Sequence, residues 1–244
     1  MRIATWNLNT WINRKNGITN DHLWAWADEN LAADVVVFTE AATPAPQSVR
    51  SSGWSVVHRP GGFPNRSNWG TLIASRHLRI DLLTSVGGSH RLDTAFPGSL
   101  TAATITNGTS PPLCIVGLYL PYRKNASKEF VGHPTSDLVA LKDDFAALVE
   151  EFGSNMIVAG DLNFPYDGVP RPLASMGFVD PFHEAEPVTY RQDWNDDGLF
   201  TMDYIYLSEN LRRRATRIEG GIDRFPTAFE VSDHAPLLIQ LDLD

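Results

Sequence analysis

A single cysteine, Cys114, is all the chain has, so no internal disulfide can form. Cys114 sits in an apolar, strand-like segment and reads as a core residue. That fits a reducing compartment, and a cytoplasmic protein is the expectation. No apolar run approaches the roughly 18 residues a membrane-crossing helix needs. No secretory leader is expected either, because Met1–Trp6 runs straight into a strand-like segment. Basic residues are scarce: 20 Lys plus Arg stand against 29 Asp plus Glu, for a net charge of −9. Such a balance argues against a strong, sequence-independent grip on a nucleic-acid duplex. There is no His-x-His or cysteine pair of the kind that builds a zinc site, and no repeat, low-complexity tract or linker.

What is present is enough for a real core: 43% of the 244 residues are hydrophobic, compatible with one α/β domain over 1–244. Short β-branched and apolar runs predict strands at 3–6, 35–38, 54–59, 69–75, 80–86, 156–159, 202–207, 215–219 and 237–241. Leu100–Thr106 and Leu113–Leu120 predict a hairpin turning at Asn107-Gly108. Helical spacing of Leu23, Trp24, Ala27 and Leu31 predicts a helix capped by Asn20 or Asp21. A second helix is expected over 136–152, ended by Gly153, and a short one over 173–177. Thr189–Phe200 reads as a loop rich in aromatics and acids.

The strand over 156–159 ends in Gly160-Asp161-Leu162-Asn163. In α/β proteins ligands gather beyond strand ends, and a glycine there lets the backbone approach a ligand closely. Asp161 and Asn163 are both expected in the turn. Taken alone the pattern also suits an Asx turn with no chemistry. Its weight comes from other strand ends, which deliver Asn7 and Asn9, Glu40, Tyr119, Asp203, and Asp233 with His234. Carboxylates, amides and one histidine without a thiolate describe a hard-cation site for Mg²⁺ or Mn²⁺. A cation that neutralises phosphate oxygens, a group that activates water, and amide and phenol donors are the kit of phosphoryl transfer.

These motifs resemble, in order and over nearly the whole chain, the endonuclease/exonuclease/phosphatase superfamily. They are Trp-Asn-x-Asn at 6–9, Thr-Glu at 39–40, Trp-Gly-Thr-Leu-Ile-Ala-Ser at 69–75, Tyr-x-Pro at 119–121, Gly-Asp-Leu-Asn at 160–163, Met-Asp-Tyr-Ile at 202–205 and Ser-Asp-His-Ala-Pro-Leu at 232–237. The resemblance implies a four-layer α/β/β/α sandwich. It implies Glu40 as the main metal ligand, with Asn7, Asn9 and Asp233 nearby. Asp161 would activate water or protonate the leaving oxygen, Asn163 and Tyr119 would bind phosphate, and His234, oriented by Asp203, would act as general base or donate to the phosphorane.

Two departures bear on substrate. Tyr122 stands where exonuclease III-type enzymes usually carry asparagine, and Thr201 where they carry arginine. The expected function is a Mg²⁺- or Mn²⁺-dependent phosphodiesterase acting on nucleic acid, with DNA favoured. The alternative is a phosphatase or phosphodiesterase for a small phosphorylated metabolite or lipid head group. Loop cations Arg59, Arg66, Arg123, Lys124 and Lys128 are placed to flank the substrate. Tyr190, Trp194 and Phe200 are placed to stack on bases.

Overall fold

The computed structural model describes residues 1–10, 17–59, 69–92, 98–106, 112–120, 138–163, 171–192 and 198–243. In chain order the elements are β1 (Arg2–Asn7), α1 (Asn20–Leu31), β2 (Val35–Ala42), α2 (Gln47–Ser51), β3 (Ser55–His58), β4 (Trp69–Ser75), β5 (Arg79–Leu83), β6 (Ser85–Val86), β7 (His90–Arg91), β8 (Leu100–Thr106) and β9 (Leu113–Tyr119). Then come α3 (Lys142–Phe152), β10 (Met156–Asp161), α4 (Arg171–Ser175), β11 (Phe178–Val179), β12 (Tyr190–Arg191), β13 (Leu199–Phe200), β14 (Asp203–Ser208), α5 (Glu209–Arg212), β15 (Ala215–Gly220), α6 (Gly221–Arg224) and β16 (Leu237–Leu241).

Two six-stranded sheets carry the fold, in the orders β15-β16-β1-β2-β4-β3 and β11-β14-β10-β9-β8-β5. Each has one parallel pair, β1 with β2 and β9 with β10; the other pairs are antiparallel. Strand periodicity sorts the side chains. In β1 and β2, Ala4, Trp6, Val36 and Phe38 face outward onto α1, which buries Leu23, Trp24, Ala27 and Leu31 against them. Each large aliphatic side chain buried this way contributes about 1.5–3 kcal/mol. In β9 and β10, Cys114, Val116, Leu118, Met156 and Val158 face the other way, onto Phe145 and Leu148 of α3. The remaining alternate residues, among them Ile3, Val35, Val37, Ile115, Ile157, Ala159 and Ile205, fill the space between the sheets. Helix, sheet, sheet and helix are therefore stacked as the four-layer sandwich that was expected. Gly117 belongs to the middle layer, where a Cβ would meet the side chains of Thr71 at 2.7 Å and Val37 at 2.9 Å, so those two side chains fill the room that a larger residue would need.

The structure shifts several expected boundaries. Thr19, not Asn20 or Asp21, caps α1, because it holds the extended backbone a cap needs and its Oγ1 accepts the His22 amide at 3.3 Å. The expected 80–86 strand is two, since the chain leaves the β8 ladder after Leu83 and pairs β6 with β7 instead. The 189–200 loop contains the short hairpin β12–β13. The helix expected over 136–152 is α3 with a helical turn from Leu138 before it, and the one expected at 173–177 is α4. The expected turn at Asn107-Gly108 lies outside the described residues.

Candidate active site

The polar residues singled out at strand ends lie on the layer between the sheets. On β1 the inward row is Ile3, Thr5, Asn7; on β10 it is Ile157, Ala159, Asp161; on β9, Ile115, Gly117, Tyr119; on β14, read backwards, Leu207, Ile205, Asp203. Apart from Thr5, each row is without polar side chains until its last member at the same end of the sandwich. Register completes the gathering, since Asp161 lies opposite both Tyr119 and Asp203. Asp161 is thus the last residue of a strand, not part of the turn as expected, and only Asn163 lies beyond it.

Glu40 reaches this face by a different route. Simple alternation from Val36 and Phe38 would aim it at α1. The β2–β4 ladder shifts register between Phe38 and Ala41, and Glu40 takes φ of +47°. This bulge turns the carboxylate inward, and β2 continues to Ala42, past the expected strand over 35–38. Among the described residues five non-glycine positions have positive φ, and three are Asn9, Glu40 and Asn163. Such backbone is costly, less so for asparagine, and persists where the surroundings enforce it. Here Asx turns enforce it twice: the Asn9 amide donates to Asn7 Oδ1 at 2.8 Å, and the Asn163 amide to Asp161 Oδ1 at 2.8 Å. Gly160, with φ of +147°, allows the final step of β10, because a Cβ there would stand 1.9 Å from the Leu118 carbonyl oxygen.

The side chains meet as a network. Asn7 Nδ2 donates to Asp161 Oδ2 at 2.8 Å and to Glu40 Oε1 at 3.4 Å. The Tyr119 hydroxyl donates to Glu40 Oε1 at 2.8 Å, and Asn163 Nδ2 to Asp161 Oδ2 at 3.1 Å. Burial raises both carboxyl groups above their usual range. Asp233 pushes Glu40 further up, and Asp203 and Glu40 push Asp161, against the lowering effect of the His234 charge. His234 Nδ1 and Asp203 Oδ2 are 2.7 Å apart, both residues buried. Burial alone would lower the imidazole pKa. The Asp203 charge and hydrogen bond, with Asp233 and Asp161, outweigh it and raise it to about 10. His234 is therefore an imidazolium at neutral pH, with Nε2 3.9 Å from Asp233 Oδ1.

Three further residues support the network. Thr189 Oγ1 accepts the amides of Met202 at 2.9 Å and Asp203 at 3.0 Å, while its carbonyl accepts Ala235 N at 2.7 Å, so one threonine ties both halves of the dyad. Ser232 Oγ donates to the Asn7 carbonyl at 2.8 Å and accepts the His234 amide at 3.2 Å. Trp69 packs edge-on against Tyr119 with centroids 4.9 Å apart. Trp69 and Ser232 stand in motifs visible in the sequence, whereas nothing there marked Thr189.

Of the expected substrate contacts, Tyr190 lies with its ring 4.8 Å from that of His234, and Phe200 stacks beside Tyr190 at 6.4 Å. Arg66, Arg123, Lys124, Lys128 and Trp194 fall outside the described residues. Thr201 is buried and its hydroxyl donates to the Pro187 carbonyl at 2.7 Å, a framework role.

Cation binding can be judged from the donor set. Among the described residues no three of His, Cys, Asp and Glu stand together as a ready-made cage. Glu40 and Asp233 nonetheless sit close enough for one to raise the other's pKa, and Asp233 Oδ1 is buried without a hydrogen-bond donor. Two hard carboxylates with positions left for water and phosphate oxygens suit Mg²⁺, which keeps most of its shell in this way. Asn7, as oriented, bridges Glu40 and Asp161 through its NH₂ group, and Asn9 is buried in the turn behind it.

Comparison with known proteins places this geometry. Residues 4–234 match the model of the endonuclease/exonuclease/phosphatase family. No curated protein matches the chain by sequence. Among solved structures, the fold is similar to an AP endonuclease from Archaeoglobus fulgidus, with TM-score 0.71 and 19% identity over all of both chains. It is similar to a 3′-5′ exonuclease from Neisseria meningitidis, with TM-score 0.68 and 17% identity, again over all of both chains. A 3′ phosphatase from Neisseria, bound to a product DNA hairpin, gives TM-score 0.67 at 15% identity with the same complete coverage.

Proposed function

The chain belongs to the endonuclease/exonuclease/phosphatase family, whose members hydrolyse phosphoester bonds, and from that premise we propose that it is a divalent-cation-dependent phosphodiesterase that cleaves nucleic acid, with DNA favoured. The observation that carries the reading is the convergence of Asn7, Glu40, Tyr119, Asp161 and Asn163 with the Asp203–His234 pair at one end of the sandwich. The structural neighbours described as acting on DNA support the polymer as substrate. The single buried cysteine supports a cytoplasmic setting.

In this reading the phosphate sits between the Asp161 side and the His234 side. A cation held by Glu40 and Asp233 supplies Lewis-acid charge neutralisation at phosphate oxygens when bound. His234, already charged, donates from Nε2 to a non-bridging oxygen and stabilises charge that grows in the transition state, while Asp203 holds the ring. The raised imidazole pKa favours donation over proton abstraction as the role of His234 in this reading. Asp161, as the carboxylate, takes a proton from the attacking water, and the leaving oxygen takes its proton from solvent as its bond to phosphorus breaks. Asn163 and Tyr119 donate to the phosphate.

The deciding assay incubates purified protein with Mg²⁺, Mn²⁺ or EDTA against duplex DNA, single-stranded DNA, RNA and a panel of phosphate esters. Cation-dependent cleavage of a polymer is expected. Full turnover in EDTA after extensive dialysis would sink the metal requirement. Hydrolysis confined to small esters would favour the second reading, a phosphatase for a small phosphorylated metabolite, for which the net charge of −9 and the inward-bonded Thr201 speak.

A further inference from the structure

Arg59 follows β3 at the end of the sandwich that holds the site. Alternation from Ser55 and Val57, the latter packed in the middle layer, turns Arg59 toward that layer as well. Its backbone amide donates to Thr101 Oγ1 at 3.3 Å, and Thr101 Oγ1 donates to the Thr71 carbonyl at 2.9 Å. Thr71 Oγ1 in turn donates to the Ser99 carbonyl at 3.1 Å, which also accepts the Tyr119 amide at 2.7 Å. Tyr119 ends the series on Glu40. Arg59 is thereby fixed relative to the cation-binding carboxylate through backbone and hydroxyl contacts. β3 lies two strands from β2 in its sheet. That distance is roughly 10 Å, or up to about three nucleotides at ~3.4 Å of rise each.

One guanidinium nitrogen of Arg59 is left without a partner inside the fold. Arg59 Nη1 is shut off from solvent without a hydrogen-bond acceptor, and no ion pair of this side chain exists among the described residues. A buried, unmatched guanidinium nitrogen is costly, more so than a neutral group. A planar guanidinium matches a phosphate. We propose that Arg59 forms a second phosphate subsite that holds a neighbouring phosphodiester of the polymer while another is cleaved at Glu40 and His234. The subsite rests on the nuclease reading and sets the minimum substrate as a chain of nucleotides.

The test compares wild type, Arg59→Met, which keeps the apolar stem, and Arg59→Lys on a short oligonucleotide and on bis(p-nitrophenyl) phosphate. Arg59→Met should raise KM for the oligonucleotide at least about tenfold more than KM for the ester, the scale of one lost charge-assisted contact. It should also reduce the slope of log(kcat/KM) against log[salt] for the oligonucleotide by about one. Arg59→Lys should recover part of both, and melting curves show that each variant is folded; if Arg59→Met is not, Arg59→Lys carries the comparison. Equal losses on both substrates, or an unchanged salt slope, overturn the subsite while leaving the nuclease reading intact. A wild-type protein that hydrolyses the ester but no polymer overturns both.

Discussion

At the residue scale, the site depends on burying charges that oppose one another. His234→Ala should lower kcat by about 10²- to 10⁴-fold, the usual span for a proton-transferring or charge-stabilising group. Asp203→Asn should cost less, since the ring remains, and the double variant should lose little more than His234→Ala, because the pair acts as one unit. Additive losses in that kinetic cycle would refute the dyad. Asp161→Asn should be at least as damaging as His234→Ala. Its carboxyl is raised by burial, so the folded state keeps a proton that the unfolded chain releases near pH 4, and stability falls as pH climbs through that window. Asp161→Asn should therefore melt higher than wild type at pH 7 in EDTA and no differently at pH 3, an activity–stability trade-off. Asp180, far from the chemistry in sequence, offers a cleaner case. Burial lifts its pKa to about 6 although Phe182 N donates to it at 2.8 Å. Its ionisation destabilises the fold from about pH 4 upward, fully so above about pH 6. Asp180→Asn keeps the acceptor and should gain about 2–3 kcal/mol at pH 7 but nothing below pH 4; equal gains at both pH values in denaturant titrations would contradict this.

At the scale of elements, strands with strong period-two or β-branched patterns were readable: β1, β4, β8, β9, β10 and β14 lie where their residues predicted. The two-residue strands β6, β7, β11, β12 and β13 were not, because two residues carry no period. The positions of Asp161 and His234 were visible as polar letters beside apolar runs, but what aims Glu40 was not, since a bulge depends on the partner strand's register. Thr189 was invisible for a similar reason: its role comes from the hairpin β12–β13 lying between two distant segments. Thr189→Val should lower kcat with little change in KM, because Asp203 and His234 lose a shared anchor, and Thr189→Ser should restore most of it; a KM effect of equal size would assign Thr189 to substrate instead. Gly160→Ala should be far worse, costing several kcal/mol or the fold itself, because its Cβ would fall 1.9 Å from a carbonyl oxygen in the centre of a sheet.

At the scale of the whole molecule, two sheets each bring part of the site, and like charges sit between them. A bound divalent cation should relieve that repulsion and add stability by mass action, about 2.7 kcal/mol at a hundredfold excess over Kd. Glu40→Gln should remove most of the Mg²⁺-dependent rise in Tm while melting normally in EDTA; an undiminished rise would place the ion elsewhere. The segments that meet are far apart along the chain. Asn7 bonds Asp161 across 154 positions, and Trp6 Nε1 bonds the His234 carbonyl across 228. β16, which pairs with β1, comes last, directly after Asp233 and His234. On the ribosome Trp6 emerges 228 residues ahead of His234. A nascent fragment that stops between them lacks one side of the site, so the two segments can join only after both have been synthesised.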